Sequence, residues 1–387
     1  MTDAEVLVVG GGPAGAATAA RLARAGRDVL VLDRAVFPRE KACADFLSPG
    51  AVRALDALGV LRDAAPRGAW QRGMRIVSEG ASFTLRYRDG ERGLGIPRRA
   101  LDALLLARAR AEGATTRERA GVAGALIDRG RVAGVRLRSG ETLRGRFVVA
   151  ADGLRSPVAR SLGLERASRW PRRLGLVARF GNVSPAPYGL MAVGREGYCG
   201  VASVGGGETS VGMALLPSAR QPGEPVGVLF ERMLAALPAA REAVSGAERT
   251  TAIRGLAPLV RRVRNVAGPG YLLVGDAAGF TDPFTGEGVF RALRGAEIAA
   301  DAVLKALRRS DAMPLDYWGA RRRAFAAKDV ACVGIQAALA IPPLFDYCLR
   351  RAERRAGAGR LLAGVFGDYI PARAALRPSF LANLMRP

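Results

Sequence analysis

The sequence predicts an α/β protein in which a parallel-sheet unit is interrupted by a β-rich insertion and followed by a helical C-terminal region. Three observations carry that expectation. The chain opens on a strand–glycine turn–helix–strand unit, two further turns rich in Gly and Asp follow later apolar strands, and the middle shows strand periodicity with Gly-rich turns. With 387 residues and 49% hydrophobic content, the chain can bury a sizeable core, and disorder as the dominant state is excluded.

Residues 5–9 (EVLVV) read as a short buried strand. The next six residues, GGGPAG, hold the GxGxxG spacing at Gly10, Gly12 and Gly15, with Pro13 and Ala14 between. Segment 16–25 reads as an Ala-rich helix ended by Gly26, and 28–32 as a second strand that stops at Asp33. In this context Gly10 permits the turn, Gly12 lets a pyrophosphate approach the backbone, and Gly15 lets helix and strand pack closely. The phosphates would meet the unpaired N–H groups and the positive dipole end of the helix. Asp33 is placed to accept hydrogen bonds from ribose hydroxyls. The unit predicts a bound dinucleotide.

Segments 121–134 and 142–150 read as later strands of the same sheet and lead into ADGLRSPVAR, residues 151–160. Far downstream a strand at 271–274 runs into GDAAGFTDPFTGEG, residues 275–288, and a helix follows from Val289 to about Leu307. This is a second strand–turn–helix whose N-terminus can face an anionic ring edge. Asp276 is set to bind a sugar-like hydroxyl. Between these units, 173–183, 189–205 and 208–217 read as antiparallel strands, with a hairpin loop at glycines 205–207 and a helix over 225–244.

Composition removes several chemistries. The chain has no His, which excludes Ser–His–Asp and Cys–His nucleophiles and imidazole metal sites. Cys43, Cys199, Cys332 and Cys348 lie far apart with no CxxC pair, so no metal site is expected. Free thiols and a start with no basic n-region lead to an expectation of a cytoplasmic protein without a signal peptide. The net charge is +24, but aromatics are 6% and Arg is spread along the chain, so nucleic acid is not an expected partner. In the last eighty residues a helix is expected over 318–337 and broken at Ile341-Pro342-Pro343. A basic helix start follows at 349–355 and an apolar run at 361–366. Clustered Arg beside apolar residues predicts peripheral contact with an anionic membrane surface. The longest uncharged stretch, 330–345, is too short for a transmembrane helix.

Taken in order, GGGPAG, ADGLRSPVAR and GDAAGFTDPFTGEG resemble the three FAD motifs of the p-hydroxybenzoate-hydroxylase-type FAD-dependent oxidoreductases. Within that superfamily, FPREKACADFLSP (37–49) and DPFTGEGV (282–289) are most similar to the geranylgeranyl reductase family, and the resemblance covers roughly residues 1–300. It implies a Rossmann-like FAD-binding domain interrupted by an antiparallel β-sheet substrate domain, with a helical C-terminal region. The FAD-binding domain would comprise 1–70, 97–168 and 266–310, the substrate domain 71–96 and 169–265, and a helical cap 311–387.

The cofactor positions implied are Gly10, Gly12, Pro13, Ala14, Gly15, Asp33 and Arg34 in the first unit, then Lys41, Ala42 and Cys43 in the following loop. Arg98 follows, in an Arg-x-x-hydrophobic-Asp element that ends at Asp102, with Val122, Asp152 and Gly153 after it. The third motif adds Gly275, Asp276, Pro283, Gly286, Glu287, Gly288 and Val289, whose amides would stabilise a reduced flavin. The resemblance implies hydride transfer between flavin and a C=C or C–C bond of a hydrophobic isoprenoid-, quinone- or polyene-like substrate. Motif matching makes Cys43, Asp45 and Tyr198 the proton-donor candidates.

Two departures stand out. Gly200, Ala202 and Ser203 replace the bulky residues of the family's Tyr-x-Trp-x-Phe-Pro segment, and Ala44 replaces a Gly after Cys43. No second nucleotide fingerprint is present, so the reductant is either a transiently bound NAD(P)H or a protein electron donor. An FAD-dependent monooxygenase is the alternative, although Gly279, Glu287 and Phe290 stand where hydroxylases have GDAAH…GQGxN. Halogenation is disfavoured, since no Lys occurs from 42 to 304 and no WxWxIP segment exists.

Overall fold

The computed structural model describes residues 2–168 and 170–385. A central eight-stranded sheet has the order Ala267–Gly268, Tyr271–Leu273, Thr142–Ala150, Ala4–Val9, Val29–Leu32 and Thr115–Arg117. The hairpin Val122–Asp128/Arg131–Leu137 is attached antiparallel to Thr142–Ala150. Five of its strands run parallel, in registers such as Val6↔Phe147, Val6↔Val29, Leu30↔Thr115 and Val148↔Tyr271. A strand covered on both faces must be apolar at consecutive positions, and LVV, VLVL, FVVA and YLL satisfy that. Helices Pro13–Arg24, Arg98–Ala111 and Gly288–Arg308 share its core through Leu22, Leu105 and Leu293. All three glycine-bearing motifs leave the sheet at the carboxyl ends of parallel strands, where ligands bind in open α/β folds.

A second sheet has the order Glu248–Arg249, Leu174–Gly181, Glu208–Leu215, Gly197–Gly205, Gly189–Gly194, Gly73–Val77 and Ser82–Arg86, with Arg254–Leu256 also on Leu174–Gly181. Its side chains alternate between two apolar layers, as strand geometry requires. Cys199, Val201, Val211 and Met213 join Phe230 and Met233 of helix Val226–Ala235. Tyr198, Met191 and Ala214 join Phe284, Phe345 and Leu349 on the opposite face. That second layer touches both the third glycine motif and the C-terminal helices.

Four sequence expectations need correction. Segment 189–205 is two strands of a hairpin, turning at Arg195-Glu196 with Gly194 opposite Gly197. Gly197 has φ +150°, and a Cβ there would lie 2.4 Å from the Ala214 carbonyl oxygen. The helix expected over 225–244 is two, because Pro238 has no N–H to continue the first and instead opens Pro238–Glu242. The second sheet is not wholly antiparallel: Gly189–Gly194 pairs parallel with Gly73–Val77, a segment supplied from a distant part of the chain. Pro342 and Pro343 do not only end a helix; they form the first turn of Pro342–Arg354, which contains the basic start expected at 349.

Phe230 is fully buried and stacks on Phe180 with centroids 6.2 Å apart. Phe230→Ala is expected to cost about 3–5 kcal/mol, read as a lower urea midpoint with an unchanged slope.

Candidate active site

The first turn is built by steric exclusion. Gly10 has φ +101°, and a Cβ there would lie 2.5 Å from the Ala151 carbonyl oxygen. A Cβ at Gly15 would lie 1.8 Å from the Gly10 carbonyl oxygen, so the helix seats directly against the turn. Gly12 differs: its nearest neighbours are guanidinium nitrogens, Arg39 Nη2 at 3.4 Å and Arg98 Nη2 at 3.9 Å from the Cβ position. The helix Pro13–Arg24 has Gly12 as its N-cap, no side-chain cap and no acid in its first turn. Ala14 and Gly15 therefore keep backbone donors aimed at a space bordered by two cations, which suits a pyrophosphate.

Asp33 holds this turn. Its Oδ2 accepts from the Gly11 N–H at 2.7 Å and its Oδ1 from the Ala35 N–H at 2.8 Å, which leaves further lone pairs for ribose hydroxyls. Arg34 is exposed beside Gly121, and Val122 is buried next in chain. Arg98 donates to both oxygens of buried Asp102, at 2.7 and 2.9 Å. Arg39, which sequence reasoning missed, shares that carboxylate at 3.2 Å and stacks on Phe37. Asp102 thus clamps two guanidinium groups beside Gly12. No local pattern links Arg39 to Asp102, which lies far downstream in the chain.

Around the second and third motifs, polar groups converge with bonding capacity to spare. Asp152 Oδ1 is buried without a partner, and burial pushes this carboxyl up to about 6. Its Oδ2 accepts weakly from Val158 N–H at 3.4 Å. Gly153 has φ +80°, with the Lys41 ammonium 3.9 Å from its Cβ position. Burial lowers the pKa of Lys41, and the neighbouring Arg98 adds to that, while Asp276 opposes it. Burial raises the Asp276 pKa against Lys41 and Arg98. Gly275, φ +62°, passes so close to Ala14 that a Cβ would meet its methyl at 2.9 Å.

The helix Gly288–Arg308 repeats the pattern of the first. Its N-cap is Glu287, whose side chain does not cap it. The carboxylate is turned away to Lys328 Nζ and Arg291 Nη1, each at 2.9 Å. Burial pushes Glu287 up, but these two cations outweigh it and hold the pKa low. The Gly288 and Val289 amides are left for a ligand. Gly286, φ +66°, lies under the Phe46 ring, 3.0 Å from its Cβ position, and Pro283 belongs to the same loop. Ala42 is partly buried between Lys41 and Cys43.

The three proton-donor candidates sit differently. Asp45 is 1% exposed, with Oδ1 accepting from the Arg98 N–H at 3.1 Å and Oδ2 from Arg179 Nη1 at 3.3 Å. Burial raises its pKa to about 6 against both arginines. Arg179, on the second sheet, also meets Glu40 at 2.5 Å and Glu208 at 3.4 Å, so Asp45 helps tie the 37–47 loop to that sheet. Tyr198 donates its hydroxyl to Asp282 and sets its ring edge-on to Phe284, 5.0 Å between centroids. Cys43 is partly buried and its Sγ accepts from the Asp45 N–H at 3.4 Å. Burial raises the thiol pKa, with Arg98 opposing it. Ala44 presses on Gly212, whose added Cβ would come within 2.8 Å of the Ala44 methyl. Gly200 faces Met191, whose Cε lies 3.6 Å from its Cβ position.

Parallel strands that run through glycine turns into helix N-termini, with an unpartnered buried carboxylate oxygen and cations between them, define a dinucleotide-binding fold. Residues 3–332 match the family described as FAD binding domain. A menaquinone reductase of Mycolicibacterium smegmatis is 33% identical over 320 residues, 78% of this chain and 76% of that protein. Digeranylgeranylglycerophospholipid reductase 1 of Methanopyrus kandleri is 32% identical over 323 residues, 79% of this chain and 82% of that one. The chain belongs to the geranylgeranyl reductase-like branch of the FAD-dependent oxidoreductases. Its fold matches the flavin-dependent brominase Bmp2 with a TM-score of 0.83, at 19% identity over 96% of this chain and 98% of the brominase.

Gly12 and Gly15 should respond differently to a methyl group. Gly15→Ala is expected to fail to accumulate as folded protein. Gly12→Ala should fold with near-native thermal stability but lose FAD affinity by about 10-fold or more, measured by fluorescence titration of the apoprotein.

Proposed function

We propose that the chain transfers hydride between FAD and a carbon–carbon bond of a hydrophobic isoprenoid-, quinone- or polyene-like substrate, with reduction of C=C as the working direction. The observation that carries this reading is the wall beside the third flavin turn. Phe46, Met191, Tyr198 and Phe284 belong to one apolar cluster next to Gly286, and the polar groups at its edge, the Tyr198 hydroxyl, Asp282 and Arg173, are bonded to one another. The relatives named for menaquinone and for digeranylgeranylglycerophospholipid support the same substrate class.

In this reading segments 1–70, 97–168 and 266–310 hold the cofactor, 71–96 and 169–265 form the substrate side, and 311–387 cap it. Asp33, Arg34 and Val122 would hold the adenosine end, and Gly12 with the Ala14 and Gly15 amides, between Arg39 and Arg98, would hold the pyrophosphate. Asp152 and Asp276, beside Lys41, would accept from the cofactor's hydroxyls. When bound, FAD supplies the hydride and stores the electron pair delivered by NAD(P)H or a protein donor. The Gly288 and Val289 amides would stabilise negative charge on the ring, and the aromatic cluster would keep water from it.

Of the three donor candidates, Cys43 suits the proton best. The Tyr198 O–H is engaged in a hydrogen bond to Asp282, and both Asp45 oxygens are already held by donors. The Cys43 thiol, its pKa raised by burial, stays protonated at neutral pH, and the Asp45 N–H on its sulfur leaves the S–H hydrogen free. Lys41, the one Lys before residue 305, stands beside Gly153 and Asp276 rather than in the apolar layer, which weighs against a halogen-carrying role.

The test is product mass after incubation with prenyl, menaquinone-like and polyene substrates under anaerobic reduction and under air. The reading expects a gain of two hydrogens without oxygen, and a gain of one oxygen that needs air would replace it with a monooxygenase. Cys43→Ser is expected to lower the single-turnover rate by about 10²-fold or more while leaving FAD bound. In a Cys348→Ser background, alkylation of Cys43 should stay slow at pH 7 and accelerate only above the ordinary thiol range near ~8.5.

A further inference from the structure

Among the described residues, no single helix is long and apolar enough to cross a membrane, and helices Tyr317–Leu339 and Pro342–Arg354 meet at a 117° bend. The apolar run 361–366 is packed: Ala363, Gly364 and Val365 are buried, and Leu361 and Leu362 are partly buried against core clusters. The exposed apolar surface lies instead on helix Tyr317–Leu339, about 35 Å long.

Its outer face carries Trp318, Arg322, Ala326, Val330 and Val333 at helical three- and four-residue spacing, all exposed, and Ile341 continues the line. Trp318, Val330 and Ile341 are each more than half exposed, at 54%, 57% and 53%. The inner face buries Phe325, Lys328, Cys332 and Gln336. The helix therefore docks on the protein by a polar-studded face and turns an uncovered apolar one outward. Its single acid, Asp329, is bonded to Arg291 at 2.5 Å, and no charge occurs from Val330 to Phe345.

The charges at one end of this stripe say what covers it. Trp318, Arg321, Arg322 and Asp329 line a depression of about 140 Å³. Arg321 lies on the Phe325 ring at 5.6 Å and pairs with no carboxylate among the described residues, although burial lowers its pKa. Arg322 stacks on Trp318 at 5.2 Å. A guanidinium withdrawn from water, facing an open depression at the end of an apolar stripe, matches a phosphate headgroup with its acyl chains alongside. A second copy of the chain fits less well, because each copy carries +24.

We propose that the outer face of helix Tyr317–Leu339, with Arg321 and Arg322 at its end, is the surface by which the protein docks in the plane of an anionic phospholipid bilayer. It rests on the proposed function only for why a bilayer matters: a hydrophobic substrate dissolved there would need a route to the flavin. The helix supplies a direct link, since its inner-face Gln336 accepts from Arg173 at 2.9 Å, and Arg173 meets Asp282 at 3.2 Å beside Tyr198.

The experiment uses the FAD-loaded full chain in co-sedimentation with phosphatidylcholine vesicles, with and without about one-third phosphatidylglycerol. Wild type should favour the anionic vesicles by about 10-fold or more and come off in high salt. Val330→Glu with Val333→Glu, and separately Arg321→Gln with Arg322→Gln, should each abolish that preference with FAD content unchanged. Equal binding to both vesicles, binding unaffected by the Glu pair, or protein that resists salt and alkaline extraction overturns the proposal. So does a Glu pair that converts a dimer to a monomer without changing vesicle binding. Turnover of detergent-dispersed substrate should stay within about two-fold in the Glu pair. Wild type that gives no reduced product in detergent counts against the hydride reading alone, because the vesicle arm contains no substrate.

Discussion

The structure depends on two helix starts left without caps. An α-helix begins with orphan N–H groups that folding normally satisfies with a Ser, Thr, Asp or Asn side chain. Here the helix at Pro13 opens on Gly12, and the helix at Gly288 opens on a Glu whose carboxylate points elsewhere. By contrast, the helix at Pro49 has Ser48, whose hydroxyl accepts from the Ala51 N–H at 3.3 Å. Side-chain caps are the exception in this chain, supplied by Ser48 and by Ser156 of the second motif, so the starts at Pro13 and Gly288 are set apart by the glycine turns and cations around them rather than by the missing cap alone.

The charges around those starts follow from the same requirement. Two guanidinium groups near one glycine would repel each other in an empty cleft, and Asp102 offsets that by holding Arg98 and Arg39 together. At the other start, an unneutralised Glu287 would oppose an anionic reduced flavin, and Lys328 and Arg291 cancel it. Lys328 is also paired with Asp368, which accepts from Ser48 at 2.5 Å. The C-terminal helices are thereby fixed to the flavin turn by buried charge, and removing one partner of such a group typically costs about 3–5 kcal/mol.

Much of this was legible in the sequence because the glycine motifs are local. Gly10, Gly12, Gly15, Asp33, Asp152 and Asp276 are recognisable by short spacing, since each acts within one strand–turn–helix unit. Arg39 and Arg179 were not found, because their roles come from Asp102 and Asp45, which no local pattern links to them. Lys328 was equally hidden: it reaches Glu287 across 41 residues of chain. The hairpin inside 189–205 was obscured by alternation that continues through its two-residue turn. The exposed apolar stripe on Tyr317–Leu339 was not singled out, because sequence shows that a face is apolar but not which neighbour covers it.

If the backbone donors of the first turn are aimed at a pyrophosphate, the site should discriminate by that group rather than by the flavin ring. Calorimetric titration of the apoprotein with FAD, FMN and riboflavin tests this most directly. FAD is expected to bind at least about 100-fold more tightly than riboflavin, with FMN between them. Equal affinity for riboflavin and FAD would contradict the account, because the uncapped amides and paired guanidinium groups would then contribute nothing to recognition.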